Sequence, residues 1–224
     1  RDLRMSRGLG DVYKRQAFSL AWNVAEESFV KNNLKWMNMF KIRYSHGKVG
    51  NDNIGGERFF YESRWGGGGD AKFGINKGGT GNGGGLKEVR NGNPGLTWET
   101  AHKFNFGFDS RWFNNRFEWT TDVFYEKRTN ILTNIDIVPA TYGGPAITAN
   151  AGKVENKGIE LDGTWHERLN KNFDYFVGGM FSFARNKILE RPETPRAYPY
   201  LQQVGYRVGQ ARGFIAEGLF QSEE

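Results

Sequence analysis

Residues 96–132 read LTWETAHKFNFGFDSRWFNNRFEWTTDVFYEKRTNIL. Phe104, Phe106 and Phe108 alternate with Lys103, Asn105, Gly107 and Asp109. Further on, Phe117, Trp119, Thr121, Val123 and Tyr125 alternate with Arg116, Glu118, Thr120, Asp122 and Glu126. Successive strand side chains point to opposite faces, so the pattern predicts two strands with aromatics on one face and charges on the other. Between them stand Asn114 and Asn115, which tolerate the positive φ that a tight hairpin demands. An aromatic face this uniform needs an apolar partner, either a protein core or lipid.

The alternation recurs outward from this hairpin. Phe18, Leu20, Trp22 and Val24 predict a short strand, and residues 25–34 a helical turn or connector. Within 35–50, Phe40, Ile42 and Tyr44 oppose Lys41, Arg43 and Ser45. Within 152–168, Ile159, Leu161 and Trp165 oppose Glu160, Asp162, Thr164 and His166. In 173–189, Phe173, Tyr175, Val177, Phe181 and Phe183 oppose Asp174, Ser182 and Asn186. The tail 209–224 is expected to begin one more short strand. Residues 51–95, with Gly66 to Gly69, Gly83 to Gly85 and few aliphatics, offer little burial to offset ordering entropy and predict a long mobile loop.

Long connections at 51–95, 133–150 and 190–207 therefore alternate with tight turns at Asn114-Asn115 and Asn170-Lys171-Asn172. Outer-membrane barrels have this rhythm, with long loops outside and short turns on the periplasmic side. The expected fold is all-β: an incomplete antiparallel transmembrane β-barrel with about six or seven strands, each longer than soluble strands usually are.

Composition agrees. Among 224 residues 15% are aromatic, Gly numbers 31 and Pro only 6, a balance that favours strands and turns over helices. No apolar run is long enough for a transmembrane helix, which does not bear on barrels, whose strands alternate. Cysteine is absent, which removes disulfides, thiolate metal sites and cysteine nucleophiles. Of the net charge of +6, the first sixteen residues hold Arg1, Arg4, Arg7, Lys14 and Arg15 against Asp2 and Asp11, so no nucleic-acid partner is inferred. Residues 1–16 lack periodicity and a secretory-signal pattern and read as a non-native end; the domain proper is expected at 17–224.

Motifs of other chemistries fail on context. Residues 79–84 match G-x-G-x-x-G, but no strand precedes them and no helix follows, as a dinucleotide site requires. NDNIGGE at 51–57 lacks the spacing and terminal Glu of a calcium loop and reads as a turn. Glu118/Asp122 and Glu160/Asp162 could be offered as a glycosidase acid and base; they instead continue the polar face. His46, His102 and His166 fall on different strands without ligand spacing. No catalytic, cofactor-binding or metal residue is nominated. Arg43, Lys103, Asp109, Glu118, Asp122 and Glu160 are expected to line a barrel interior, and Trp22, Trp98, Trp112, Trp119 and Trp165 to form interfacial girdles. Phe59, Phe60, Tyr61, Trp65, Tyr142, Tyr198 and Tyr200 are loop aromatics able to stack on sugars or meet a partner, without a binding residue being assigned.

LTWET at 96–100 with residues 105–132 resembles the late barrel strands of the SusC/RagA family of TonB-dependent outer-membrane transporters. In the same order, AWNVAEESF at 21–29, FKIRYSHGKVGND at 40–52, NAGKVENKGIELDGTW at 150–165, FSFARNKI at 181–188 and GQARGFIAEGLFQSEE at 209–224 resemble that family. The resemblance implies part of a plugged barrel of roughly 22 strands in the outer membrane of Bacteroidota. It implies no enzyme activity and no cofactor. The implied role is import of glycans or peptides, with a SusD-like lipoprotein partner and energy from the TonB complex. The signal, TonB box and plug of the family are not in this sequence. The alternative reading is a soluble or secreted carbohydrate-binding β-sandwich, which would use the same aromatics as a sugar platform.

Overall fold

The computed structural model describes residues 16–51, 59–70, 84–216 and 218. The strands are β1 (Ala17–Asn23), β2 (Met37–Asn51), β3 (Arg64–Asp70), β4 (Gly84–Arg90), β5 (Glu99–Trp112), β6 (Phe117–Ile135), β7 (Ile147–Asn170) and β8 (Phe173–Glu190). Six form one sheet in the order β1-β2-β5-β6-β7-β8, and β3 and β4 pair separately. Every adjacent pair is antiparallel. The large sheet is open at β1 and β8. A single helical turn, α1 (Ser28–Lys31), lies between β1 and β2.

The opening hairpin forms as its alternation requires. Trp112 pairs with Phe117, and Phe113, Asn114 and Asn115 in the connection take φ of 55°, 60° and 62°. Two of these left-handed residues are the asparagines, whose short polar side chains accept that region.

Register then carries the aromatic face across the sheet. One row runs Trp22, Ile42, Phe108, Thr121, Leu161, Phe181, and the next runs Leu20, Tyr44, Phe106, Val123, Ile159, Phe183. This is a single layer: Leu20, Phe106, Phe181 and Phe183 are 60%, 52%, 56% and 56% exposed. Among the described residues only Ala25, Val30, Ala101 and Ile188 are buried apolar side chains. A sandwich would cover such a face with a second sheet; hydrocarbon covers it equally well, gaining about 1.5–3 kcal/mol for each large side chain removed from water.

Three expectations need correction. The 51–95 stretch is not structureless: Gly66 and Gly67 of β3 pair with Lys87 and Leu86 of β4. Ladder bonds are made by the backbone, so glycine can join them while showing no side-chain period. The 133–150 loop is shorter than expected, because β6 and β7 continue pairing as far as Ile135 and Ile147. Asn130, at φ 58°, lies in a register shift between Arg128 and Ile131, and a bulge reverses the facing of everything after it. The tail carries no strand over 209–216; instead the preceding segment returns to β8, where Ile188 N donates to Tyr206 O (2.9 Å) and Gly205 N to Ile188 O (2.8 Å). The glycine motif at 79–83, most of NDNIGGE and the basic end at 1–15 lie outside the described residues.

Candidate functional site

The sheet's second face is polar, and its centre is built around a missing side chain. Arg43, Gly107 and Asp122 are register neighbours on β2, β5 and β6. Strands in one sheet lie about 4.8 Å apart, so residues two strands apart normally have a side chain between them. Gly107 leaves that space empty. A Cβ there would lie 2.5 Å from Asp122 Oδ1 and 2.8 Å from Thr121 O. Arg43 reaches over it: its Nη2 donates to Asp122 Oδ2 (2.9 Å) and to Asp109 Oδ1 (3.0 Å), while Nε lies 2.9 Å from Asp109 Oδ2. The three side chains are 32%, 26% and 18% exposed. One guanidinium thus ties three strands, using the planar donor fork that Lys lacks.

Other ion pairs extend this face. Arg111 and Glu118 approach to 3.3 Å, and Lys103 and Glu126 to 3.6 Å. Arg128 reaches Glu99 at 3.5 Å and also contacts Glu126. Arg43, Lys103, Asp109, Glu118, Asp122 and Glu160 therefore all fall on the one polar face, and five of the six are paired. Glu160, beside Asp122, has no basic partner among the described residues. Glu118 and Asp122 are each engaged by an arginine as structural ion pairs, which leaves the glycosidase reading without a free pair there.

The opposite face is aromatic at the tight-turn end. Trp36 stacks on Trp112 (4.9 Å) and Phe113 (5.9 Å), and Trp165 lies 6.2 Å from both Phe113 and Phe117. Trp119 lies over Gly163, where a Cβ would come within 2.8 Å of its ring, and its Nε1 donates to Thr121 Oγ1 (2.8 Å). That internal partner matters where no water can supply one. Trp112, Trp119 and Trp165 thus fall together; Trp22 is one residue from the end of β1, and Trp98 precedes β5 at the opposite end. Trp36, which the sequence reading did not nominate, lies just before β2 and joins this cluster. His46 stacks on Phe104 (4.2 Å, 13°), His166 lies near Phe176 (6.0 Å), and with His102 they remain on separate strands.

At the other end the long connections interlock. Thr97 N donates to Asn150 Oδ1 (2.8 Å), and Asn150 Nδ2 donates to Thr97 O (2.7 Å). Asp136 N donates to Pro192 O (3.0 Å) and Thr194 Oγ1 to Asp136 O (2.7 Å). Glu193 accepts from the backbone N–H of Gln203 (2.9 Å) and Val204 (2.9 Å). Partial burial alone would raise its pKa, but these hydrogen bonds with the charges of Arg191 and Arg196 outweigh that and hold it below 4.5. Exposed aromatics crown this end: Tyr198 stacks on Tyr200 (5.5 Å, 16°), Phe59 meets Tyr61 edge-on (6.1 Å), and Arg90 lies over Phe60 (5.1 Å). Tyr142 is joined to Asn91 (3.0 Å), while Trp65 is 64% exposed.

Residues 17–212 match the family model described as TonB dependent receptor-like, beta-barrel. The chain belongs to this family of TonB-dependent receptor β-barrels. TonB-dependent receptor P39 of Formosa agariphila is 29% identical over 218 residues, covering 93% of this chain and 19% of that protein. TonB-dependent receptor SusC of Bacteroides thetaiotaomicron is 24% identical over 180 residues, covering 77% of this chain and 17% of that one. Among solved structures, the RagAB peptide importer in its open-open state superposes with a TM-score of 0.67 at 20% identity, over 86% of this chain and 20% of that chain. The chain thus spans about one fifth of the length of these relatives. The open six-stranded sheet is a partial barrel of the TonB-dependent receptor family, a family of outer-membrane proteins, and it is similar to SusC and to the RagAB importer.

Proposed function

We propose that this receptor segment is the late barrel wall of an outer-membrane importer that takes up glycans or peptides with TonB-derived energy and a SusD-like lipoprotein partner. The observation that carries this reading is the division of one sheet into a face that is apolar across its central rows and an ion-paired polar face. On it the apolar face meets lipid and the polar face lines the interior. The Asn114-Asn115 turn is periplasmic, and the interlocked long connections, with the hairpin of β3 and β4 inside the 51–95 loop, are extracellular. Residues 17–224 are one barrel domain on this reading, and 1–16 stand outside it. The wall does no covalent chemistry: it supplies polar contacts, and transport is conformational.

The test is genetic and biochemical. The complete receptor gene is deleted in its host, and growth is scored on a panel of single glycans and peptide mixtures. Loss of growth on one class, restored by the receptor but not by a copy lacking its TonB-interacting segment, is the expected result. The adjacent lipoprotein gene should co-purify its product with the receptor. A receptor that fractionates as a water-soluble monomer, or uptake indifferent to TonB, would overturn the proposal.

A further inference from the structure

The outward face changes character at its long-loop end. Beyond the rows of Phe106 and Phe108 comes a row Phe18, His46, Phe104, Tyr125, Lys157, Arg185, and beyond it Lys48, His102, Lys127, Glu155, Lys187. Each row lies about 7 Å further along the strands than the one before. Lys48, Lys127, Lys157, Arg185 and Lys187 have no carboxylate within salt-bridge distance among the described residues. On the polar face Arg43, Lys103, Arg111 and Arg128 are each paired, and Lys41 alone among the cations of those central rows is not. The opposite end of the outward face carries aromatic rings, and there Arg116 is paired with Glu167 (3.3 Å). Five unpaired cations thus share two adjacent rows at the long-loop end of the outward face.

Three of them, Lys157, Arg185 and Lys187, also line a concavity. The segment that returns along β8 through Gly205 and Tyr206 brings Arg207 to Lys157, Arg185 and Lys187, around a cleft of about 380 Å³. Its one carboxylate is Glu155, which accepts from Tyr125 Oη (3.4 Å). Four cations against one anion attract a multiply charged anion, and planar guanidinium forks suit phosphate oxygens. The Ile159–Phe183 pair is the next row along the same two strands, so a ligand with an anionic head in the cleft can lay a hydrocarbon part on those side chains.

We propose that this cleft and the cationic row beside it bind the phosphate-bearing headgroup of an outer-leaflet lipid, fixing the barrel's depth and rotation in the membrane. The inference rests on the membrane reading above.

The complete receptor, extracted from its membrane, is placed in phosphatidylcholine nanodiscs containing diphosphoryl lipid A or its dephosphorylated form, and lipid retained through detergent exchange is counted by mass spectrometry. The wild type is expected to retain the diphosphoryl form selectively. Each surface cation is worth about fivefold in affinity for an anionic headgroup, so K157Q/R185Q/K187Q/R207Q should weaken retention by about 600-fold. The double variant K157Q/K187Q, about 25-fold weaker on the same scale, provides a second reading should the quadruple variant fail to assemble. Heat-modifiable gel migration reports the folded barrel in every sample. Equal retention by wild type and variants, equal retention of the dephosphorylated lipid, or complete displacement by inorganic phosphate would each overturn the proposal. A receptor that needs no detergent would instead overturn the membrane reading.

Discussion

The arginine tie makes a prediction that runs against the ordinary expectation for glycine. In a strand, Gly→Ala usually helps, by roughly 0.5–1 kcal/mol, because alanine loses less backbone entropy on folding. At Gly107 the new Cβ would stand 2.5 Å from Asp122 Oδ1 and 2.8 Å from Thr121 O. Ordinary contact begins at 3.4 Å, so the carboxylate must retreat by about 0.9 Å. Taken along the ion-pair vector, that stretches the Arg43 Nη2–Asp122 Oδ2 hydrogen bond from 2.9 Å to about 3.8 Å, beyond hydrogen-bonding range. A hydrogen bond to a charged group contributes about 1.5–3 kcal/mol when shielded and 0–1 kcal/mol when exposed; a pair 32% and 18% exposed falls between. Gly107→Ala should therefore destabilise the complete receptor by about 1–3 kcal/mol, read as a lower temperature of heat-modified migration. The clash has two sources, and a double-mutant cycle separates them. Asp122→Ala relieves the carboxylate contact but not the contact with Thr121 O, so the double variant should lose less than the sum of the singles. Strict additivity, or a Gly107→Ala receptor at least as stable as the parent, would refute the reasoning.

Arg placed at Phe106 or Val123, central on the apolar face, should block membrane assembly at a cost of about 2–4 kcal/mol near the bilayer midplane, whereas Asn105→Arg on the polar face should assemble; equal surface yield of all three in whole-cell labelling would count against a lipid-facing wall. Asn115 sits at φ 62°, so Asn115→Val should cost about 1–2 kcal/mol while Asn115→Gly is tolerated, and indistinguishable refolding yields of the two would dismiss turn control. Glu193, with a folded pKa below its ordinary 4.5, contributes stability that is present above about pH 4.5 and lost as pH falls through the lower folded value. Hydrogen-exchange protection of the Gln203 and Val204 amides should fall in that window, and Glu193→Gln should remove the dependence.

How much of this could be read from residues alone depends on what kind of connection separates two strands. Alternation placed every polar-wall residue on its face, from Arg43 to Glu160. The tight turn even permits counting: once Trp112 pairs with Phe117, Gly107 must meet Asp122 and Phe106 must meet Val123. No such count links β2 to β5, because the connection between them is long and its length does not set a register. That Arg43 stands level with Gly107, and so that one guanidinium joins three strands, was out of reach.

The same distinction explains the errors. The β3–β4 ladder was missed because a period is carried by side chains, which Gly66 to Gly69 do not have, while pairing is made by the backbone. The far ends of β6 and β7, beyond residue 132 and before residue 152, were missed because the left-handed Asn130 reverses the facing of the residues beyond it. Tight turns therefore hold register locally, and the ion pairs that cross from β5 to β6 depend on the Asn114-Asn115 turn rather than on the long connections. Arg43 is the exception, since its partners lie across a pairing that no tight turn enforces. Its charge-assisted bonds to Asp109 and Asp122 oppose slippage there, because a one-residue slip would carry Arg43 to the other face of the sheet. A wall built in this way can keep its strand register while the 51–95 connection changes in length and composition.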